Sequence, residues 1–106
     1  MAVGDVSDHG RFSDPSLLVM SSLADGPKHG YAVTKDIQRF AGVTLGPGTL
    51  YGALARLQHQ GLIVALPADD RRRPYRLSDL GVKVLAAQLE SLQQVAATGL
   101  RRLARE

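Results

Sequence analysis

The chain has 106 residues, of which 44% are hydrophobic and 22% charged, with no cysteine and a formal net charge of +3. This is the length of one domain with a globular composition, and the missing cysteine excludes disulfides, thiolate metal sites and cysteine nucleophiles. The longest apolar runs, residues 16–23 and 62–66, fall far short of the roughly 20 residues a membrane helix needs; with no basic-then-apolar leader in sight, a cytoplasmic protein with no membrane partner is expected.

The positive charge is concentrated in the middle of the chain. Residues 1–27 set Arg11 against Asp5, Asp8, Asp14 and Asp25 for a net −3, and residues 77–106 balance to +1. Residues 28–76 hold Lys28, Lys35, Arg39, Arg56, Arg71, Arg72, Arg73 and Arg76 against Asp36, Asp69 and Asp70, a net +5. Such a concentration suits a polyanion, although a run of arginines is by default a solvated loop.

In chain order, residues 1–13 mix Gly, Asp and Ser without a period and read as a flexible arm. Asp14 or Ser13 caps a first helix with Pro15 in its opening turn; Leu17, Leu18, Met20 and Leu23 make it largely buried, and Asp25-Gly26-Pro27 ends it. A second helix begins near Gly30, buries Val33, Ile37 and Phe40 on one face, and closes at Gly42. The Gly46-Pro47-Gly48 turn leads into a third helix, in which Leu50, Leu54 and Leu57 face inward while Thr49, Gly52, Arg56 and His59 face out and Tyr51 lies between. After Gly61, Leu62–Leu66 is strand-like. The polar stretch from Pro67 to Pro74 forms the tip of a hairpin returning through Tyr75-Arg76-Leu77. Asp69 and Asp70 are placed to pair with the arginines beside them.

Ser78 then caps a last helix reaching close to Arg105, about 40 Å long. Along it Leu85, Leu89, Leu92, Ala96, Gly99 and Leu103 are spaced 4, 3, 4, 3 and 4, a heptad seam over nearly three repeats. Three short helices and a hairpin can cover only its first half, so the remainder calls for a second copy of the chain rather than a fold-back on its own domain.

Helix, helix, turn, helix and a basic hairpin is the order of a winged helix-turn-helix: mainly α with a small β-hairpin, here followed by a long dimerisation helix. The expected organisation is an arm at 1–13, a DNA-binding domain at 14–77 and a dimerisation helix at 78–106. The third helix has the width of the major groove, and a cationic hairpin tip can follow phosphates or enter the minor groove beside it.

Gly26-Pro27-Lys28-His29-Gly30-Tyr31, then Gly46-Pro47-Gly48-Thr49-Leu50-Tyr51-Gly52-Ala53-Leu54, Gly61-Leu62-Ile63 and Arg73-Pro74-Tyr75-Arg76-Leu77-Ser78-Asp79-Leu80-Gly81 resemble the PadR family of bacterial transcriptional regulators over about residues 15–100. The resemblance implies a homodimeric winged helix that usually represses transcription, with a single C-terminal dimerisation helix in the short members. It also implies that the first helix packs on the partner's last one, which brings Leu17, Leu18 and Leu23 toward the interface. The chain departs from the family pattern at Gly46, where serine is usual, at Gly52, where proline is usual, and at Pro74, where an aromatic residue is common. Pro74 is expected to shorten the wing's strand pairing. The two glycines are read as a softer helix or as room for close backbone approach to DNA.

The expected DNA contacts are therefore Pro47, Gly48, Thr49, Tyr51, Gly52 and Arg56 on the third helix, Arg71, Arg72, Arg73 and Arg76 on the wing, and Lys28 and Lys35 near the second helix. The bland alternatives are that Thr49 caps its helix, Tyr51 packs between helices and Arg56 is merely solvated. His29 and Tyr31 are read as structural. The dimer residues are Leu17, Leu18, Leu85, Leu89, Leu92, Ala96, Gly99 and Leu103. The partner is a double-stranded, palindromic DNA operator.

No enzyme is expected and no cofactor is implied, since His9, His29 and His59 are too scattered for a metal cluster and no HExxH, GxGxxG or Gly-x-Ser-x-Gly pattern occurs. A winged-helix module that binds another protein through its basic wing is the alternative. Some members of the family bind flat small-molecule effectors between dimerisation helices; with no aromatic residue in the last helix, a broad stacking pocket is not expected there.

Overall fold

The computed structural model describes residues 10–105. The elements are α1 (Pro15–Leu23), β1 (Lys28–His29), α2 (Gly30–Ala41), α3 (Pro47–His59), β2 (Ile63–Ala65), β3 (Pro74–Leu77) and α4 (Asp79–Ala104). Positions 1–9 of the expected arm lie outside the described residues; Gly10–Asp14 is non-helical and leads directly into α1.

Each helix begins and ends where local chemistry predicts. Asp14 Oδ1 accepts from the amides of Ser16 (3.0 Å) and Leu17 (3.3 Å), and Pro15 occupies the first turn, where no amide donor is needed. Gly42 closes α2 in the left-handed region at φ 70°, a conformation that costs glycine nothing. Ser78 Oγ accepts from the Gly81 amide at 2.9 Å and donates to the Gly61 carbonyl at 2.7 Å, so it both caps α4 and pins it to the end of α3.

The hairpin expected from sequence is a three-stranded antiparallel sheet of order β1-β3-β2. Lys28 pairs with Tyr75 and His29 with Pro74 on one edge, while Ile63 pairs with Leu77 and Ala65 with Tyr75 on the other. β1 escapes a periodicity argument because it is two residues long. Pro74 is tolerated as the first residue of a strand, and its carbonyl accepts from the Leu66 amide at 2.8 Å. The pairing is thus longer by a rung than Tyr75-Arg76-Leu77 alone.

α1 forms the middle of the core and is apolar on most of its circumference, with Val19, Met20 and Leu23 packed among Val33 and Ile37 of α2, Leu50, Leu54 and Leu57 of α3, and Ile63 of β2. Phe40 departs from its expected place in this core. It sits in the last turn of α2, on the rim of a groove beside α1, and is half exposed. The buried Ser22 hydroxyl donates to Asp36 Oδ2 at 2.7 Å, which satisfies a polar atom that would otherwise be costly inside an apolar helix.

Only the start of α4 belongs to this core. Leu85 is buried there, and Gly81 lies so close to the α3–β2 junction that a Cβ would sit 1.9 Å from the Leu62 carbonyl oxygen. Beyond Leu85 the helix is exposed, flanking α1 and the end of α2 through Leu89 and Leu92, and the molecule extends to 54 Å along its longest axis.

Candidate nucleic-acid interface

α3 presents one side to the core and the other to solvent. Leu50, Ala53, Leu54 and Leu57 are buried, whereas Pro47, Gly48, Thr49, Tyr51, Gly52 and Arg56 are all exposed. The helix begins at Pro47 with Gly46 as its cap residue and no side-chain cap bond. Thr49 is therefore free of the capping role open to it in the sequence, and its side chain stands in the first turn. A Cβ at Gly46 or Gly48 would meet nothing within 4 Å, and at Gly52 only the Arg56 guanidinium at 3.9 Å. Packing within this chain does not require these glycines; their effect is to leave the exposed side of the helix flat.

Tyr51 neither packs between helices nor projects freely. Its ring is 55% exposed and its hydroxyl lies over Gly30, where a Cβ would come within 2.8 Å. Glycine at the start of α2 thus makes room for a tyrosine of α3.

The wing reaches the same region. Asp70 and Arg71 have φ of 54° and 71°, and Asp69 and Arg72 exchange backbone hydrogen bonds of 2.6 and 2.9 Å around them. Two successive left-handed residues between paired strands make a two-residue hairpin loop of the kind that matches strand twist. Glycine and asparagine favour such positions; arginine there costs of order 1 kcal/mol or more. The turn directs Asp69 into backbone pairing, and among the described residues neither Asp69 nor Asp70 forms the expected ion pair with an arginine.

Between α3 and the wing lies a cleft of about 490 Å³ lined by Tyr31, Tyr51, Tyr75, His29 and the three arginines Arg71, Arg72 and Arg73. Three phenol rings and three guanidinium groups around one hollow suit a phosphate-bearing, aromatic-bearing polymer, because cations neutralise phosphates while tyrosines offer both stacking faces and hydrogen-bonding hydroxyls. Tyr31, Tyr75 and His29 escape the sequence argument because they come from α2, β3 and β1. Their convergence depends on the short β1–β3 pairing.

The other expected contacts divide by how they are engaged. Lys28 turns away: its ammonium donates to the Ser22 carbonyl and pairs with Asp25, whose carboxyl it holds below the ordinary value of 3.8. In the free chain the residue thus closes the end of α1 and does not line the cleft. Arg73 donates to the Leu66 carbonyl at 2.9 Å and Arg76 to Leu77 at 3.0 Å, both bracing the wing. Arg56 reaches back to Ser16 Oγ at 3.1 Å and links α3 to α1. Lys35 lies 5.7 Å from the centre of the Tyr31 ring, a cation–π distance. Arg71, at the tip, makes no hydrogen bond or ion pair among the described residues.

A second surface is apolar. Phe12, Leu17, Leu18, Phe40, Leu89 and Leu92 line a groove of about 300 Å³ between α1, the end of α2 and α4. Of the expected dimer residues, Leu85 is used up in the core of its own domain, and Leu17 and Leu18 are mostly buried there while still lining the groove. Leu89, Leu92, Ala96, Gly99 and Leu103 are exposed. Val95 and Leu100, absent from the expected seam, are also exposed, at 66% and 68%. Leu92, Val95, Ala96, Gly99, Leu100 and Leu103 follow the i, i+3, i+4, i+7, i+8, i+11 pattern of a stripe wider than a strict heptad. Among the described residues no cluster has a metal-ligand arrangement, and no helix is long and apolar enough to cross a membrane.

Three helices, a cationic wing and a third helix with one side open to solvent define a winged helix-turn-helix. Residues 19–87 match the Transcriptional regulator PadR-like family. The chain is 42% identical over 86 residues to an uncharacterised 37.1 kDa protein in a Streptomyces fradiae transposon, covering 81% of this chain and 25% of that protein. It is 35% identical over 83 residues to the Transcriptional regulator Rv3488 of Mycobacterium tuberculosis, covering 76% and 77% of the two chains. A PadR family transcription regulator from Clostridium difficile superposes with a TM-score of 0.76 at 22% identity, over 83% of this chain and 96% of that one. The chain belongs to the PadR-like family; it is a transcriptional regulator and not an enzyme.

Proposed function

We propose that this regulator acts as a symmetric homodimer that binds a near-palindromic DNA duplex, inserting α3 of each protomer into successive major grooves with the wings alongside, and represses transcription by occluding the promoter. The observation that carries the reading is the cleft joining Tyr51 of α3 to Arg71, Arg72 and Arg73 of the wing, because one groove-sized surface then combines residues able to touch base edges with residues able to hold phosphates. The exposed stripe of α4 supports the dimer. A partner helix would cover it, and a two-fold axis would set two reading helices one helical turn apart.

Within this reading Thr49, Tyr51 and the flat surface at Gly48 and Gly52 face the groove, with Pro47 fixing the start of the helix. Arg71 and Arg72 hold phosphate or the minor groove, and Arg73 and Arg76 keep the wing in shape. Lys35 and Arg56 flank the helix. The sites of action are those of a cytoplasmic protein.

The test is a mobility-shift titration across salt concentrations with a duplex selected in vitro on the purified protein. Affinity is expected to fall steeply with salt. The triple substitution Arg71→Ala, Arg72→Ala, Arg73→Ala should weaken binding to every sequence and reduce the slope by about one unit for each phosphate that a protomer no longer neutralises. An unchanged slope removes the wing from the interface. An affinity for duplexes independent of salt favours a protein partner for the basic surface.

A further inference from the structure

His29 is one of two residues in β1, and the alternation of a strand sends it and Lys28 to opposite faces. Lys28 goes back to α1; His29 goes to the wing, where its Nε2 lies 3.3 Å from Nη1 of Arg72, 43 residues away. A guanidinium has donors only. For this contact to be a hydrogen bond, Nε2 has to be the acceptor, which requires the tautomer that carries its proton on Nδ1. Among the described residues this is the only side-chain hydrogen bond from the wing tip, residues 66–73, to the rest of the molecule.

The charged groups around His29 are unequal. Arg71, Arg72 and Arg73 line the cleft on one side of the imidazole, while Asp69 and Asp70 line a hollow on the other, together with Lys28. The Lys28 ammonium is occupied by Asp25, and the other titratable neighbours in the cleft are the phenols of Tyr31, Tyr51 and Tyr75. Protonating the ring turns its acceptor into a donor, breaks the bond to Arg72 and places a cation beside three others. A phosphate entering the same cleft reverses that balance: it can take hydrogen bonds from both the imidazolium and the released guanidinium.

We propose that His29 is a proton-linked latch on the wing: neutral, it holds Arg72 in the free protein, and on DNA binding it takes one proton from solvent, releases Arg72 and faces the phosphate beside it. The inference rests on the DNA-binding reading above. Histidine is the side chain whose charge changes between about pH 5 and 8, so the device works where cells operate. By linkage, a protein that gains a proton on binding DNA binds more tightly as pH falls.

The experiment is calorimetric titration of the intact protein with the selected duplex, in two buffers of different ionisation enthalpy, together with affinities at about pH 6 and about pH 8. Uptake approaching one proton per protomer is expected, with affinity rising about three- to tenfold per pH unit for each protomer engaged. In His29→Gln the side-chain amide can still accept from Arg72 but cannot titrate, so proton uptake and the pH dependence of binding are lost. His59→Gln keeps both. Nitrogen chemical shifts of the His29 imidazole in the unsubstituted protein give an independent reading: neutral with Nδ1 protonated when free at about pH 7, imidazolium when the duplex is bound. Undiminished proton uptake in His29→Gln, or a ring that stays neutral in the complex, overturns the proposal and leaves the DNA-binding reading intact. Failure of the unsubstituted protein to bind any duplex at low salt sinks both.

Discussion

The first two turns of α4 and its last four are built from similar residues and have opposite surroundings. Leu85 is buried, Gly81 fits against the Leu62 carbonyl and Ser78 ties the helix start to Gly61, whereas Leu92, Val95, Leu100 and Leu103 lie open over the distal half. The seam runs through both halves without a break. Helical spacing therefore records that a stripe is to be buried, and leaves unsaid whether the cover comes from the same chain or from another.

The sharpest way to break this contrast is to charge the distal half. Leu92→Asp combined with Leu103→Asp should weaken association at least about a hundredfold, because a two-fold interface counts each buried charge twice, and sedimentation should move to the monomer with the helical content of the winged domain retained. A dimer of undiminished strength would take the distal stripe out of the interface. The anchored half should respond through folding instead. Gly81→Ala is expected to cost about 3 kcal/mol, since the Leu62 backbone must move to admit a methyl group, and Leu85→Ala about 2–3 kcal/mol through the cavity it leaves. Urea unfolding in the Leu92→Asp background checks both without the contribution of association. If Leu85→Ala changes only the oligomeric state, the division of α4 is misplaced. The smallest expected effect falls on α3. Gly52→Ala should stabilise the domain by about 0.5–1 kcal/mol, because the site is exposed, helical and open, and should lower affinity for the selected duplex if the missing Cβ lets DNA come close. Gain in stability with unchanged affinity would mean that the glycine only softens the helix.

What the residues disclosed in advance follows local physics. Asp14, Gly42, Pro47 and Ser78 mark helix boundaries through capping and backbone geometry, and each is found at the boundary it marks. The order of elements with a basic wing was sufficient for the winged fold. What stayed hidden depends on distance in sequence. β1 is too short to show a period, and with it went the convergence of His29, Tyr31 and Tyr75 on the cleft. Lys28 counted as a free cation because nothing in its neighbourhood announces a carbonyl six residues back and a carboxylate three residues back as its partners. Phe40 fits the spacing of the buried face of α2, yet it lines an open groove beside α1 and α4 instead of the closed core. The left-handed pair Asp70–Arg71 is invisible because neither residue is glycine or asparagine. Holding an arginine in a costly conformation at the wing tip, where no side chain or backbone group among the described residues engages it, fits a residue kept for its charge.

The most direct measurement is a hydroxyl-radical and methylation footprint of the full chain on its selected duplex. Two protected major-groove patches are predicted, centred about 10 base pairs apart or a multiple of that. They should be related by a two-fold axis, each flanked by wing protection that disappears in the Arg71, Arg72, Arg73 triple variant. A single patch with no symmetry mate, or protection that leaves the major grooves open, would contradict a dimer reading DNA through α3.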